Sequence, residues 1–106
     1  MLGLLLYDDR HQVTAYAFGE LINLDDGRFV YYLSYIYVMK KYRAAGIGSK
    51  MMAKLMEAAK QYNAGSFLLI CDTEDPMVYD FYLKRGFMPD EKLRRYDKHD
   101  VVSYSI

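Results

Sequence analysis

Apolar and polar positions change their period several times along the chain, and each change marks an element. Leu2 to Tyr7 is an apolar run closed by the polar turn Asp8-Asp9-Arg10-His11, and it reads as a strand. From Val13 to Ile22 the pattern alternates. Val13, Ala15, Ala17 and Leu21 share one face, and Tyr16, Phe18 and Ile22 share the other. Asn23-Leu24-Asp25-Asp26-Gly27-Arg28 carries Asp-Gly, a strong hairpin signal, so Phe29 to Val38 should pair antiparallel with the second strand. This third strand is apolar on both faces, as a central strand is.

The period then becomes helical. Ile47, Met51, Leu55, Ala58 or Ala59, and Tyr62 recur at helical spacing, with Lys50, Lys54, Glu57 and Gln61 opposite. The spacing predicts a helix from about Gly48 to Tyr62, ended at Asn63-Ala64-Gly65 with Gly65 as the left-handed terminator. Ser66 to Cys71 is a short apolar strand, and strand, helix and strand predict a right-handed parallel crossover. Asp75 suits an N-cap, Pro76 a first helical position and Gly86 an exit, which predicts helix over Met77 to Arg85. Lys92 to Asp97 and Val101 to Ile106 read as a closing pair of strands, with Val102, Tyr104 and Ile106 inward. The order is βββαβαββ, an α/β chain (α+β mixed) with a central mixed β-sheet, two helices and one helix expected on each face. At 106 residues the whole length, 1–106, reads as a single domain with one core.

Composition narrows the classes. The chain is 53% apolar with charges balanced to zero, which fits neither disorder nor a generic nucleic-acid surface. Twelve tyrosines and no tryptophan suit strand faces, interfaces and pocket walls. A single cysteine, Cys71, excludes an internal disulfide and reads as a buried structural thiol in a reducing compartment. The opening apolar run is too short for a membrane span or signal core, so a cytoplasmic protein without a membrane partner is expected. His11 and His99 fall in predicted turns, and no His/Cys/carboxylate cluster has metal spacing, so no metal is expected.

The candidate chemistry lies between the third strand and the first helix. There Lys40, Lys41 and Arg43 precede Gly46-Ile47-Gly48-Ser49. The two glycines let a ligand approach bare backbone, and a helix start offers amide N–H groups and the positive dipole end. The basic residues deepen a preference for phosphate. Two better-known phosphate loops do not fit. A P-loop needs an earlier glycine and a Gly-Lys-Ser/Thr, and a dinucleotide fingerprint needs a third glycine where Met51 stands.

Arg43-Ala44-Ala45-Gly46-Ile47-Gly48 resembles the Arg/Gln-x-x-Gly-x-Gly/Ala pyrophosphate loop of the GNAT N-acetyltransferase superfamily. It follows the strand end Ile36-Tyr37-Val38 and precedes Ser49 and an amphipathic helix, as that loop does. A second stretch, Asp75 to Phe87, resembles the family pattern Asn-x-x-Ala-x-x-Phe/Leu-Tyr-x-x-x-Gly-Phe. Phe81, Tyr82, Gly86 and Phe87 match, while Asp75 stands for Asn and Val78 for Ala.

The resemblance implies acetyl-CoA as cosubstrate. Backbone groups of Ile36 and Val38 would hold the pantetheine arm and thioester where a bulge splays two parallel strands. Arg43, Ala45, Gly46, Gly48 and Ser49 would line the pyrophosphate, and Tyr82 would protonate the departing CoA thiolate. Residue by residue, Ile36 and Val38 also read as core side chains, and Tyr82 as a core ring. The implied activity is transfer of acetyl from acetyl-CoA to a primary amine by direct attack. The alternative is a non-catalytic acetyl-CoA-binding or dimerisation module of the same fold. No general base stands out. Glu20, Asp72 and Glu74 offer carboxylates that reach an amine through water, though each reads more simply as a solvated strand-end group. The family's opening strand and two helices have no counterpart here, and they shape the amine site, so the acceptor is open. Their absence leaves tyrosine-rich strand surface uncovered over parts of Leu2 to Tyr7 and Val13 to Ile22, so a homodimer or higher oligomer is expected.

Overall fold

The computed structural model describes residues 2–43 and 45–106, which leaves Met1 and Ala44 of the glycine turn outside the described residues. In chain order it forms β1 (Leu2–Tyr7), β2 (Val13–Asn23), β3 (Phe29–Val38), a short 3-10 turn (Lys40–Tyr42), α1 (Ile47–Gln61), β4 (Ser66–Asp72), α2 (Pro76–Leu83), β5 (Met88–Pro89) and β6 (His99–Ser105). The six strands make one mixed sheet ordered β1-β2-β3-β4-β6-β5. Only β3 and β4 pair in parallel, joined through α1; the other pairs are antiparallel.

Local chemistry accounts for most boundaries. Asp75 caps α2 by accepting from the Met77 and Val78 N–H groups at 3.1 and 3.3 Å, and Pro76 opens the helix without a donor to satisfy. At the end of α1 the left-handed residue is Asn63 (φ 66) rather than Gly65, since asparagine tolerates that conformation better than other side-chain-bearing residues.

The closing strands differ from the sequence pattern. Lys92 to Asp97 is not a strand; β6 pairs instead with Met88–Pro89. Two buried carboxylates take the backbone donors that a strand there would use. Asp90 accepts from the Lys92 and Leu93 N–H groups at 3.1 Å each, and Asp100 accepts from Arg95 N–H at 2.8 Å and Arg94 Nε at 2.7 Å. Side-chain acceptors of this kind compete directly with a ladder. Asp90 also accepts from both terminal guanidinium nitrogens of Arg28, at 2.7 and 3.1 Å, which ties the β2–β3 turn to the segment after β5.

Both helices pack on the same face, not one on each. Met51, Leu55 and Ala59 of α1 and Tyr82 of α2 join Ala15, Ala17, Tyr31, Leu33, Phe67, Leu69, Cys71 and Val102 in one buried cluster. Side-chain alternation along the strands places those strand residues on one side of the sheet. The opposite side has a small cluster of Val30, Leu68 and Val101, with Leu93 from the 90–98 loop packed against it. No helix covers that side among the described residues. It carries Leu5, Tyr7, Phe18, Tyr35 and Ile70, each more than a third exposed. Tyr16 and Phe18 each stack on Tyr35 there, with ring centroids 5.7 Å from it.

One irregularity shapes the sheet. Phe18 pairs with Tyr35 but Gly19 pairs with Leu33, so Ser34 has no partner in β2 and forms a bulge. Next to it, Tyr31 reaches over Gly19 to donate from its hydroxyl to the Leu2 carbonyl at 2.9 Å. A Cβ on Gly19 would lie 2.2 Å from the Tyr32 carbonyl oxygen and 2.7 Å from the Tyr31 hydroxyl. Only a glycine fits this crossing.

Candidate active site

The bulge divides the parallel pair. β3 runs beside β4 from Val30 to Leu33, opposite Ser66 to Leu69, and the pairing stops there. Beyond it β4 stays with β6 through Ile70, Cys71 and Asp72, while β3 stays with β2 through Tyr35, Ile36, Tyr37 and Val38. The two strands separate, and a cavity of about 460 Å³ opens beside the end of β3, against α2 and the start of α1. Ile36 and Val38 form one wall, and Met77, Val78, Phe81 and Tyr82 of α2 form the other. Arg43, Gly46, Gly48 and Ser49 close one end.

That end is held firmly. Met39 N–H donates to the Thr14 carbonyl at 2.8 Å, and the Tyr42 hydroxyl donates to Asp8 Oδ2 at 2.8 Å. Asp8 lies below the ordinary carboxylate range, through its bonds from the Gln12 backbone first and from Tyr42 next. Arg43 Nε donates to the Val38 carbonyl at 3.0 Å, and its guanidinium lies 5.3 Å from the Tyr37 ring centre. Arg43 therefore braces the turn, and the Val38 carbonyl is already engaged. Gly46 adopts φ 75, a conformation that side-chain-bearing residues resist, and the space beside it is open.

The helix end supplies donors. No side chain caps α1, and its first internal bond runs from Lys50 N–H to the Gly46 carbonyl at 3.2 Å. The amide N–H groups of Ile47, Gly48 and Ser49 thus precede the helical ladder and point out of its end, where the dipole is positive. Gly48 faces the Phe81 ring, which a Cβ there would meet at 3.4 Å, an ordinary packing distance. The ring packs on the backbone of the turn and draws α2 against α1.

Tyr82 is 7% exposed and lines the cavity. Among the described residues its hydroxyl has no hydrogen-bond partner, yet it is not sealed from the cavity. Burial, first, and the adjacent Cys71 push its pKa up to about 12, with Arg85 opposing. Tyr82 is thus a protonated donor in the wall of the cavity.

Of the residues singled out in the sequence, Ile36, Val38, Arg43, Gly46, Gly48, Ser49 and Tyr82 meet at this cavity. Ala45 does not line it; its N–H donates to the Tyr42 carbonyl at 3.2 Å. The candidate bases stand apart. Glu20 is exposed on the uncovered side of β2, and Asp72, the last residue of β4, accepts from Glu74 N–H at 2.9 Å. Cys71 is buried, and burial raises its thiol to about 11, as suits a structural residue. His11 and His99 are exposed, though His99 opens β6 rather than lying in a turn. Among the described residues no cluster of potential metal ligands occurs. Sequence patterns missed Arg85, whose Nη1 donates to the Phe81 carbonyl at 2.7 Å and whose Nη2 donates to Ser49 Oγ.

The central mixed sheet is thus split at a bulge beside an uncapped glycine turn and a buried tyrosine. Residues 3–87 match the model of the Acetyltransferase (GNAT) family, and the chain belongs to that family. A sequence comparison with curated proteins gives no match. Among solved structures, an acetyltransferase of the GNAT family from Listeria monocytogenes superposes with TM-score 0.80 at 12% identity, covering 98% of this chain and 64% of that one. The ribosomal-protein-S18-alanine N-acetyltransferase from Escherichia coli gives 0.75 at 19% identity, covering 96% and 65%. Arabidopsis thaliana Naa50, in complex with the bisubstrate analogue CoA-Ac-MVNAL, gives 0.70 at 23% identity, covering 89% and 66%. The chain thus spans less than two thirds of the length of each.

Proposed function

We propose that this chain binds acetyl-CoA in the cleft between β3 and β4 and transfers the acetyl group to a primary amine. One observation carries this reading: the end of β3 past the split, the uncapped start of α1 and Tyr82 all line one cavity of about 460 Å³. The diphosphate fits the N–H groups of Ile47, Gly48 and Ser49, which an anion satisfies at no cost to the helix. The pantetheine arm fits along β3 past Ser34, where backbone groups lack a β4 partner. Ile36 is the better anchor there, because Arg43 occupies the Val38 carbonyl.

In the reaction the amine lone pair attacks the thioester carbonyl carbon. The C–N bond forms, the C–S bond breaks, and the amine proton leaves to water. Tyr82 meets the departing sulfur with its hydroxyl hydrogen and regains a proton from solvent. A phenol held near 12 is a weaker acid than a free thiol at about 8.5. The same dry site raises the proton affinity of a thiolate formed in it, which brings the two closer. The test is release of free thiol from acetyl-CoA in the presence of amines and peptides with free N-termini. Amine-dependent release is expected. Tight CoA binding with no release across the panel would favour the non-catalytic binding module.

The uncovered side of the sheet supports self-association. Its stacked Tyr16, Phe18 and Tyr35, with Leu5 exposed beside Tyr16, form the kind of contiguous apolar surface that soluble monomers rarely keep open. A second copy of the chain would bury it.

A further inference from the structure

We propose that Arg85 is the side chain that reads the diphosphate of the cofactor, a role resting on the assignment of the cleft to acetyl-CoA. Position 85 is one of the unspecified places in the Asp75–Phe87 pattern, so no motif marks it. The guanidinium carbon lies 3.5 Å from the centre of the Phe81 ring, and Nη1 donates to the Phe81 carbonyl at 2.7 Å. Stacking and hydrogen bond together fix the plane of the group, so little freedom remains to be lost on binding. Its remaining fork reaches Ser49 Oγ, in the first turn of α1.

Three further facts point the same way. Arg28, Lys84, Arg94 and Arg95 all pair with carboxylates, whereas Arg85 makes no ion pair among the described residues. Ser49 borders both the main cavity and a second cavity of about 240 Å³ that Arg85 also lines, so a ligand running from one to the other passes this contact. Arg43 gives its Nε to the Val38 carbonyl and braces the turn.

Nη2 now donates to a neutral hydroxyl. A diphosphate oxygen at the start of α1 is a stronger, charge-assisted acceptor. When it arrives, Nη2 exchanges Ser49 for phosphate, and the released Ser49 hydroxyl turns to donate to the same group. Arg85 therefore sets the preference for a phosphorylated carrier over a bare pantetheine thioester.

The experiment compares the whole chain with Arg85→Leu and Arg85→Lys. CoA and dephospho-CoA are titrated calorimetrically, and pantetheine at millimolar concentration is followed by its shift of the melting temperature. Arg85→Leu should weaken CoA and dephospho-CoA about equally, by roughly tenfold, and leave the pantetheine shift unchanged. Arg85→Lys should recover part of the loss. An equal loss for pantetheine would make Arg85 a structural latch between α1 and α2. A loss for CoA but not dephospho-CoA would assign it to the 3′-phosphate, and undiminished CoA affinity would remove it from the site; each overturns the proposal. If the unaltered protein fails to bind CoA, the cleft assignment itself falls, an outcome distinct from these.

Discussion

Tyr82 shows what a single side chain gains from its surroundings. Its ring packs edge-on against Phe81 and Phe87 at 5.1 and 5.6 Å between centroids, which fixes the hydroxyl without bonding it. Replacing it with phenylalanine keeps that packing and removes only the donor. Tyr82→Phe should leave CoA affinity unchanged and lower turnover about a hundredfold. Steady-state rates that survive the change would reduce Tyr82 to a core ring. The pH dependence follows from sign. The donor form is the protonated one, and burial moves its loss up to about 12, so activity should not fall through deprotonation of this group between pH 7 and 10. An alkaline limb in that range that disappears in Tyr82→Phe would contradict the assignment. Tyr82 was legible in the sequence because Phe81, Gly86 and Phe87 flank it in a recognisable order. Arg85 was not, because its role exists only where Phe81 and Ser49, from different helices, come together.

Among the elements, α1, α2 and the first four strands were legible to within a residue or two, since each rests on its own periodicity and caps. The failure at Lys92 to Asp97 has a physical source. The Asp90 and Asp100 carboxylates capture the N–H groups of Lys92, Leu93 and Arg95 nearby in the chain, a side-chain competition with the ladder that apolar patterning does not register. The Arg28–Asp90 pair makes this testable. Asp90 is held down at about 2, chiefly by Arg28, against 3.8 ordinarily. Its folded pKa is depressed, so its contribution is full above pH 4 and lost as pH falls toward 2. That difference corresponds to about 2 kcal/mol. Asp90→Asn should cost a similar amount at pH 7 in urea unfolding, with the penalty shrinking in acid. The bulge offers a second case. Gly19→Ala must push apart the Tyr32 carbonyl and the Tyr31 ring, and should destabilise by about 2 kcal/mol. A neutral Gly19→Ala by the same measurement would mean that the crossing at Gly19 is loose.

For the whole molecule, placing both helices on one side was not legible, because amphipathic patterns say that a face is covered but not which one. The sheet is consequently lopsided, and this sharpens the expectation of self-association. Phe18→Glu, on the uncovered side and away from the cleft, should convert an oligomer into a folded monomer. Light scattering behind a sizing column measures both forms. A mass near 12.4 kDa for the unaltered chain at micromolar concentration would show that the tyrosine-rich surface stands alone in water.

The split in the sheet carries a last consequence. Past Leu33 and Leu69 the protein is a book open along its spine, one leaf holding β1, β2 and the end of β3, the other holding the end of β4 with β6. An acyl-CoA laid in the gutter, as proposed, would bind the leaves together, and the small molecule would then be a structural member as well as a reactant. Durability of the protein in a cell would rise and fall with the supply of acetyl-CoA, since any ligand favouring the closed book draws the folding equilibrium with it.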